Sequence, residues 1–212
     1  MALNPARAAC LGLALLWALP AFAQPQPARP EQALPEPARA LQPGEQRFVL
    51  DQARSRCGFE IRTRFGQKIE GVFPKFEGEV VRLADGRHRV RLKMDAREVE
   101  IPGKPRYTGW MRGEDFFDVA NHPLVEFDSA PYREDITVHG GDIIGNLSIR
   151  GITHIETLTV MPADCPRAGY DCDVISRGTV LRGRYGMDSW QVALGDRVTF
   201  ILRARLQEAP RP

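Results

Sequence analysis

The chain has 212 residues, with 29 Lys and Arg against 27 Asp and Glu, a formal net charge of +2. That balance excludes the basic footprint of a nucleic-acid-binding protein and of a polybasic membrane-surface protein. Hydrophobic residues make up 43%, enough for one domain with a real core.

The N-terminus comes first. Residues 1–23 carry one positive charge, Arg7, then the apolar run Ala8–Leu19 and the sequence Pro20-Ala21-Phe22-Ala23. Small residues at Ala21 and Ala23 match a signal-peptidase site, with cleavage between Ala23 and Gln24. An apolar run of about 12 residues is too short to span a bilayer, which takes ~20. A retained anchor is the competing reading. Cys10 precedes most of the run and is badly placed for lipid attachment. The expectation is an exported, soluble protein of a bacterial periplasm, whose net charge falls to +1 once Arg7 is removed. Residues 24–44 hold Pro25, Pro27, Pro30, Pro35, Pro37 and Pro43 among Ala, Gln and Glu. They read as an extended, poorly ordered linker. Residues 45–207 form the domain, and 208–212 a short tail.

The domain reads as strands. Cys57, Phe59 and Ile61 alternate with Arg56, Glu60 and Arg62; Val90, Leu92 and Met94 alternate with Arg89, Arg91 and Lys93. Ile143, Leu147 and Ile149 alternate with Asn146, Ser148 and Arg150. Val198, Phe200, Leu202, Ala204 and Leu206 alternate with polar residues, broken only by Ile201. A period of two means one dry face and one wet face, as in antiparallel sheet. Further strands are expected at 47–51, 71–83, 124–129, 155–161 and 178–184. Turn clusters such as Ala84-Asp85-Gly86 and His139-Gly140-Gly141-Asp142 separate them. That makes eight or nine strands, with one short helix at 105–113. The fold class is all-β and antiparallel, as a sandwich or a closed barrel. An eight-stranded barrel is wide enough to fill with side chains or to enclose one small ligand. The supply of rings and methionines, Trp190 among them, exceeds what a thin core uses and leans toward the enclosed ligand, with a filled core the ordinary alternative that periodicity alone does not separate from it.

Four segments resemble a known family. Gly71-Val-Phe-Pro-Lys-Phe-Glu-Gly78 resembles its G-x-F-x-x-F-x-G strand pair. Asp115-Phe-Phe-Asp-Val119, with His122-Pro123 and Glu126-Phe-Asp-Ser129, resembles its DFFDV…P…F-x-S signature. Gly145-Asn-Leu-Ser-Ile-Arg-Gly-Ile-Thr153 resembles its G-x-L-T-I-x-G-V-T strand, with Ser148 where Thr is usual. Leu181-Arg-Gly-Arg-Tyr-Gly-Met187 resembles its R-x-x-[FY]-G-M element. These are marks of the YceI-like family of periplasmic lipid-binding proteins, and the resemblance runs from Gln46 to Leu206. It implies an eight-stranded, lipocalin-like antiparallel β-barrel with a long apolar cavity and one short helix. The cavity is expected to be lined by Phe59, Phe65, Phe73, Phe76, Trp110, Met111, Phe116, Phe117, Phe127, Leu147, Ile149, Tyr185 and Met187. The implied occupant is a long-chain isoprenoid lipid, such as an isoprenoid quinone or a polyprenyl phosphate, with no other cofactor. A homodimer and transient membrane contact stay open.

The polar candidates each have a plain alternative. Asp115 and Asp118 are read as turn formers rather than catalytic acids. Arg112, Arg150, Arg182 and Arg184 are candidate partners for a phosphate head group, weighed against ordinary solvated positions. His88, His122, His139 and His154 show no metal-ligand spacing, and no metal is expected. Cys165 and Cys172 bound what looks like an insertion relative to the family, and an oxidising compartment favours their disulfide. Cys57 shares the apolar face of Phe59 and Ile61 and reads as a buried thiol. The expected function is non-covalent binding, storage or transport of one long lipid. The alternatives are an accessory partner of a membrane b-type cytochrome and its quinone, or an enzyme acting on lipid. No G-x-S-x-G or HExxH motif supports the enzyme.

Overall fold

The structure is a computed structural model and describes residues 41–208. The expected signal peptide, the Ala23–Gln24 cleavage site, Cys10 and nearly all of the Pro-rich segment lie outside the described residues. Ten strands form one sheet. They are β1 (Gln46–Val49), β2 (Arg56–Thr63), β3 (Lys68–Val72), β4 (Phe76–Arg82) and β5 (His88–Asp95). After a long connection come β6 (Leu124–Ser129), β7 (Gly141–Ile149), β8 (Ile152–Val160), β9 (Val174–Leu181) and β10 (Leu194–Ala204). Two helices interrupt them, α1 (Pro105–Arg112) before β6 and the four-residue α2 (Ile136–His139) after it.

The strand count corrects the expectation of eight. The single strand read at 71–83 is two, because Pro74 has no N–H to donate and the chain turns a corner there. Phe73, beside it, buries its ring in the core. β3 also begins earlier than read, since Thr63–Gln67 closes a hairpin that pairs Arg62 with Lys68. At the other end of the chain the strand read at 178–184 stops at Leu181. Arg182–Tyr185 is a 3₁₀ turn closed by Gly186 in the left-handed region. The one helix expected is found as α1, with Pro at its first position; α2 was not expected.

All pairings are antiparallel, in the order β1-β4-β5-β6-β7-β8-β9-β10-β2-β3. The sheet curls, and its edges β1 and β3 are not paired to each other. A corner ties the circuit instead. Leu50, just past β1, bridges to Leu206 past β10, and its N–H donates to Gly78 O of β4 at 2.9 Å. The architecture is therefore a ten-stranded curled sheet rather than the eight-stranded closed barrel expected. One joint in it is weak. β7 and β8 pair over nine positions, whereas β8 and β9 pair only at Thr159–Arg177 and Val160–Ser176.

The concave face is the core. Phe59 and Ile61 of β2, Leu92 and Met94 of β5, Val125 and Phe127 of β6, and Leu147 and Ile149 of β7 are all buried there. The convex face carries cross-strand ion pairs such as Arg47–Glu79 at 2.8 Å and Arg89–Asp128 at 2.6 Å. Pairs at or near the surface add little stability each. The β5–β6 connection covers one end of the core with Val99, Ile101, Met111, Phe116 and Phe117. Its two ends meet where Ala96 N–H donates to Pro123 O at 2.8 Å. Among the described residues, no helix is long and apolar enough to cross a membrane.

Candidate binding cavity

The core is filled unevenly. Near the β5–β6 connection the Phe117 ring packs edge-to-face on Phe59 and Phe73, with centroids 5.8 and 5.6 Å away, and Phe59 and Phe73 are tilted to each other at 5.7 Å. Phe200 joins at 6.2 Å from Phe59. Such pairs add ~0.5–1.5 kcal/mol each beyond their burial. Phe59 also lies over its cross-strand partner Gly71, where a Cβ would meet the ring at 2.2 Å. Phe127, at the border of this region, covers Gly145, which lies diagonally across from it on β7. This half of the interior is solid.

The other half holds a cleft. It runs from Cys57, Met94, Phe127 and Leu147 outward to Leu158, Gly178 and Val180, the residues flanking the weak β8–β9 joint. Phe200 and Leu202 form its floor on β10. With its open approach the cleft occupies about 460 Å³, but only about 30 Å³ is wide enough to hold water. A ligand pocket usually offers ~300–1,000 Å³.

One carboxylate borders this apolar space. Glu156 faces inward on β8 with its side chain 11% exposed. Its Oε1 accepts from Arg184 at 2.8 Å and from the Tyr185 hydroxyl at 3.0 Å. Burial and the neighbouring carboxylate push the Tyr185 phenol well above its ordinary value. His154 Nε2 lies 3.0 Å from Arg184 O, and its ring stands edge-on to Tyr185 at 5.1 Å. The cleft thus has a long apolar wall and one polar end.

Phe127 and Leu147 border the cleft as expected residues of the lining. Phe59, Phe73, Phe76, Met111, Phe116, Phe117, Ile149, Tyr185 and Met187 are buried in the same core but do not border it. Two expected residues are not in the interior. Phe65 is 86% exposed because it sits at the tip of the β2–β3 hairpin. Trp110 is 39% exposed, since Met111 takes the inward side of α1. Met94, Leu158, Val180, Leu202 and Glu156 border the cleft without having been singled out. Glu156 was hidden by its own strand. Ile155, Thr157 and Thr159 read as an equally good inner set, yet Ile155 is 71% exposed. Pairing of Gly145 with Glu156 and Leu147 with His154 turns the other set inward.

The remaining candidates are accounted for by structure. Asp115 accepts from Ser189 Oγ at 2.6 Å and Trp190 Nε1 at 3.3 Å, which holds its carboxyl below the usual range. Asp118, at φ 48°, turns the chain and accepts from Asn121. Arg182 is buried and donates to the carbonyls of Gly195, Met187 and Ser189, so it pins the β9–β10 connection. Arg112 donates to Val99 O and Arg150 to Gly186 O. Cys57 borders the cleft 3.2 Å from Met94 Sδ, and burial pushes its thiol up to about 12. Cys165 and Cys172 are disulfide-bonded in the β8–β9 connection, with Cα atoms 6.1 Å apart.

Comparison with known proteins bears on the fold. The profile of the YceI-like domain family matches residues 48–206. The crystal structure of Burkholderia cenocepacia BcnA superposes with a TM-score of 0.58 at 20% identity, covering 73% of this chain and 98% of that one. A polyisoprenoid binding domain from Saccharophagus degradans gives 0.55 at 14% identity, covering 76% and 98%. A mutant Campylobacter jejuni YCEI protein gives 0.51 at 14% identity, covering 68% and 87%. No curated protein matches the sequence.

Proposed function

The chain belongs to the YceI-like domain family, and from that premise we propose that it binds one long-chain isoprenoid or similarly apolar lipid in the periplasm, as a carrier or store. The observation that carries this reading is the cleft itself, mostly apolar, with Glu156 its one charged group and Thr157 and Ser176 its hydroxyls, and open beside the weakest joint of the sheet. The neighbour described as a polyisoprenoid binding domain supports the same ligand class.

The volume sets the mechanism. A space of about 30 Å³ does not admit a lipid tail unless side chains and strands move. Met94 and the leucines of the wall can swing, methionine most readily because it is unbranched. Parting β8 from β9 costs the least ladder, since two residue pairs and the adjoining bond from Met161 N–H to Ile175 O hold it. The tail then moves between two apolar media, bilayer and protein. Burial from water would be worth ~0.8 kcal/mol per CH₂, but most of that cancels in such a transfer. A small net energy suits a protein that must also release its cargo. The reading uses no nucleophile and no proton transfer.

Native mass spectrometry of the purified protein, with solvent extraction of what co-purifies, tests it. The expected result is a mass increment matching one extracted lipid per chain. A protein that carries no lipid, and takes none up from isoprenoid-containing vesicles, overturns it.

A further inference from the structure

A singly exposed apolar side chain needs no explanation, but a group of them is informative, and such a group faces outward at the end of the sheet capped by α1. Tyr107 stacks on Trp110 at 5.1 Å, and Trp110 lies 5.1 Å from Trp190. Trp190 is 42% exposed and sits at φ 65°, a region a tryptophan rarely adopts. Its position is held by Asp115 through Ser189 and the indole N–H, not by burial. Two residues on, Val192 is 89% exposed. Arg64 N–H donates to Ala193 O at 2.8 Å and Arg64 Nε to Gln191 O at 3.0 Å, which brings the hairpin tip and Phe65 alongside.

Cations interleave with these rings. Lys104 Nζ lies 5.4 Å over Tyr107 and Arg106 5.6 Å over Trp110, while Arg62 and Arg64 flank Phe65. None of the four makes an ion pair among the described residues. Elsewhere on the sheet some arginines are matched to carboxylates, as Arg47 is to Glu79 and Arg89 to Asp128, while Arg56, Arg177, Arg197 and Arg203 stand in no ion pair among the described residues. Asp115 and Asp188 at this end keep their negative charges, since their hydrogen bonds come from the neutral Ser189, Trp190 and Gln191. The four cations outnumber them, so the near-zero charge of the whole chain conceals a local positive excess.

We propose that this surface, Trp110, Trp190, Val192 and Phe65, backed by the half-buried Tyr107, with Lys104, Arg106, Arg62 and Arg64, docks on the interface of a bilayer containing anionic lipid. Tyrosine and tryptophan, each with an apolar body and a polar tip, suit the headgroup level. Unpaired Lys and Arg suit anionic headgroups. Phe65 and Val192 sit on projecting loops. Projections enter a deformable lipid surface, whereas a protein partner would need a matching recess.

The surface lies outside the cleft, so its test does not depend on what the cleft holds. Residues 24–212 include every described residue, hence the whole sheet and core, and carry only Trp110 and Trp190 as tryptophans. Vesicles of phosphatidylethanolamine and phosphatidylglycerol, free of isoprenoids, are compared with phosphatidylcholine vesicles by co-sedimentation and by quenching with brominated lipid. Binding to the anionic vesicles, weakened by salt and accompanied by tryptophan quenching, is expected. Phe65→Ser combined with Val192→Ser should lower partitioning by roughly tenfold or more with an unchanged melting temperature. Arg64→Gln with Arg106→Gln should remove most of the preference for anionic lipid. Absence of vesicle binding, binding without quenching, or undiminished binding by the Phe65/Val192 variant overturns the proposal. So does self-association that this variant abolishes in a protein that ignores vesicles.

Discussion

Cys57 and Cys165 carry the same thiol and meet opposite fates because of where the sheet puts them. Cys165 lies in the β8–β9 connection within disulfide reach of Cys172. Cys57 is 5% exposed beside Met94, and burial disfavours its thiolate, the reactive form. Iodoacetamide should therefore leave Cys57 unmodified in the native protein and label it in denaturant, with peptide mapping showing Cys165 joined to Cys172. Rapid native labelling of Cys57 would contradict its placement. His88 makes a second residue-scale case. Its Nδ1 is buried with no hydrogen-bond partner among the described residues, and burial lowers its pKa below 6.5 despite Glu134. A folded-state value below the unfolded one means the fold prefers neutral imidazole. Its contribution to stability is then complete above ~6.5 and lost as pH falls through the folded value. An NMR titration should place His88 below 6.5, and His88→Gln should flatten that part of the melting-temperature profile. A measured value above 6.5 reverses the sign and sinks the argument.

Between neighbouring strands, contact is set by pairs rather than single residues. Phe127 covers Gly145, where an added Cβ would meet the ring at 2.6 Å and Asp128 O at 2.7 Å. The ring is packed and the carbonyl belongs to the β6–β7 ladder, so neither yields cheaply. Gly145→Ala should cost ~1–3 kcal/mol, as overpacking does, measured by urea unfolding. Wild-type stability in that variant would show that the ring can move. The β8–β9 joint yields another expectation. Seam-facing amides of residues 156–158 and 178–180 should exchange with deuterium faster than those between β7 and β8, because their ladder is missing. Equal protection of the two joints would remove the seam as a way in.

Across the whole molecule, the Phe59–Phe73–Phe117 ring cluster and the cleft occupy neighbouring parts of the interior that meet at Phe200. Phe117 stands for the first. It was expected to touch lipid, yet it packs against Phe59 and Phe73 away from the cleft. Phe117→Ala should therefore cost the ~3–5 kcal/mol of a ring lost from a packed core. Ser176 stands for the second, facing the cleft near the seam. Ser176→Leu should reduce lipid retention severalfold at a smaller cost in melting temperature. If Phe117→Ala strips lipid with little loss of stability, the division of the interior is wrong.

Period-two alternation already determined that this chain is antiparallel sheet, since a dry and a wet face follow from side-chain direction alone. Four ordered motifs likewise carried the family, and the Pro-Gly-Asn punctuation carried most strand limits. The wet and dry faces of β8 were not legible there. Ile155 and Glu156 fit either side, and only pairing with β7 turned Glu156 toward the cleft. Nor could the aromatic inventory be sorted into plug, cleft and outer surface. Phe59, Phe127, Phe65 and Trp190 are alike to hydrophobicity, and they differ by which strand or turn faces each of them. The weak β8–β9 joint has no local signal at all, because a missing ladder is a relation between two segments whose own sequences both favour strand. Burial and pairing arise between residues far apart in the chain, so the tertiary structure alone decided where the interior is open.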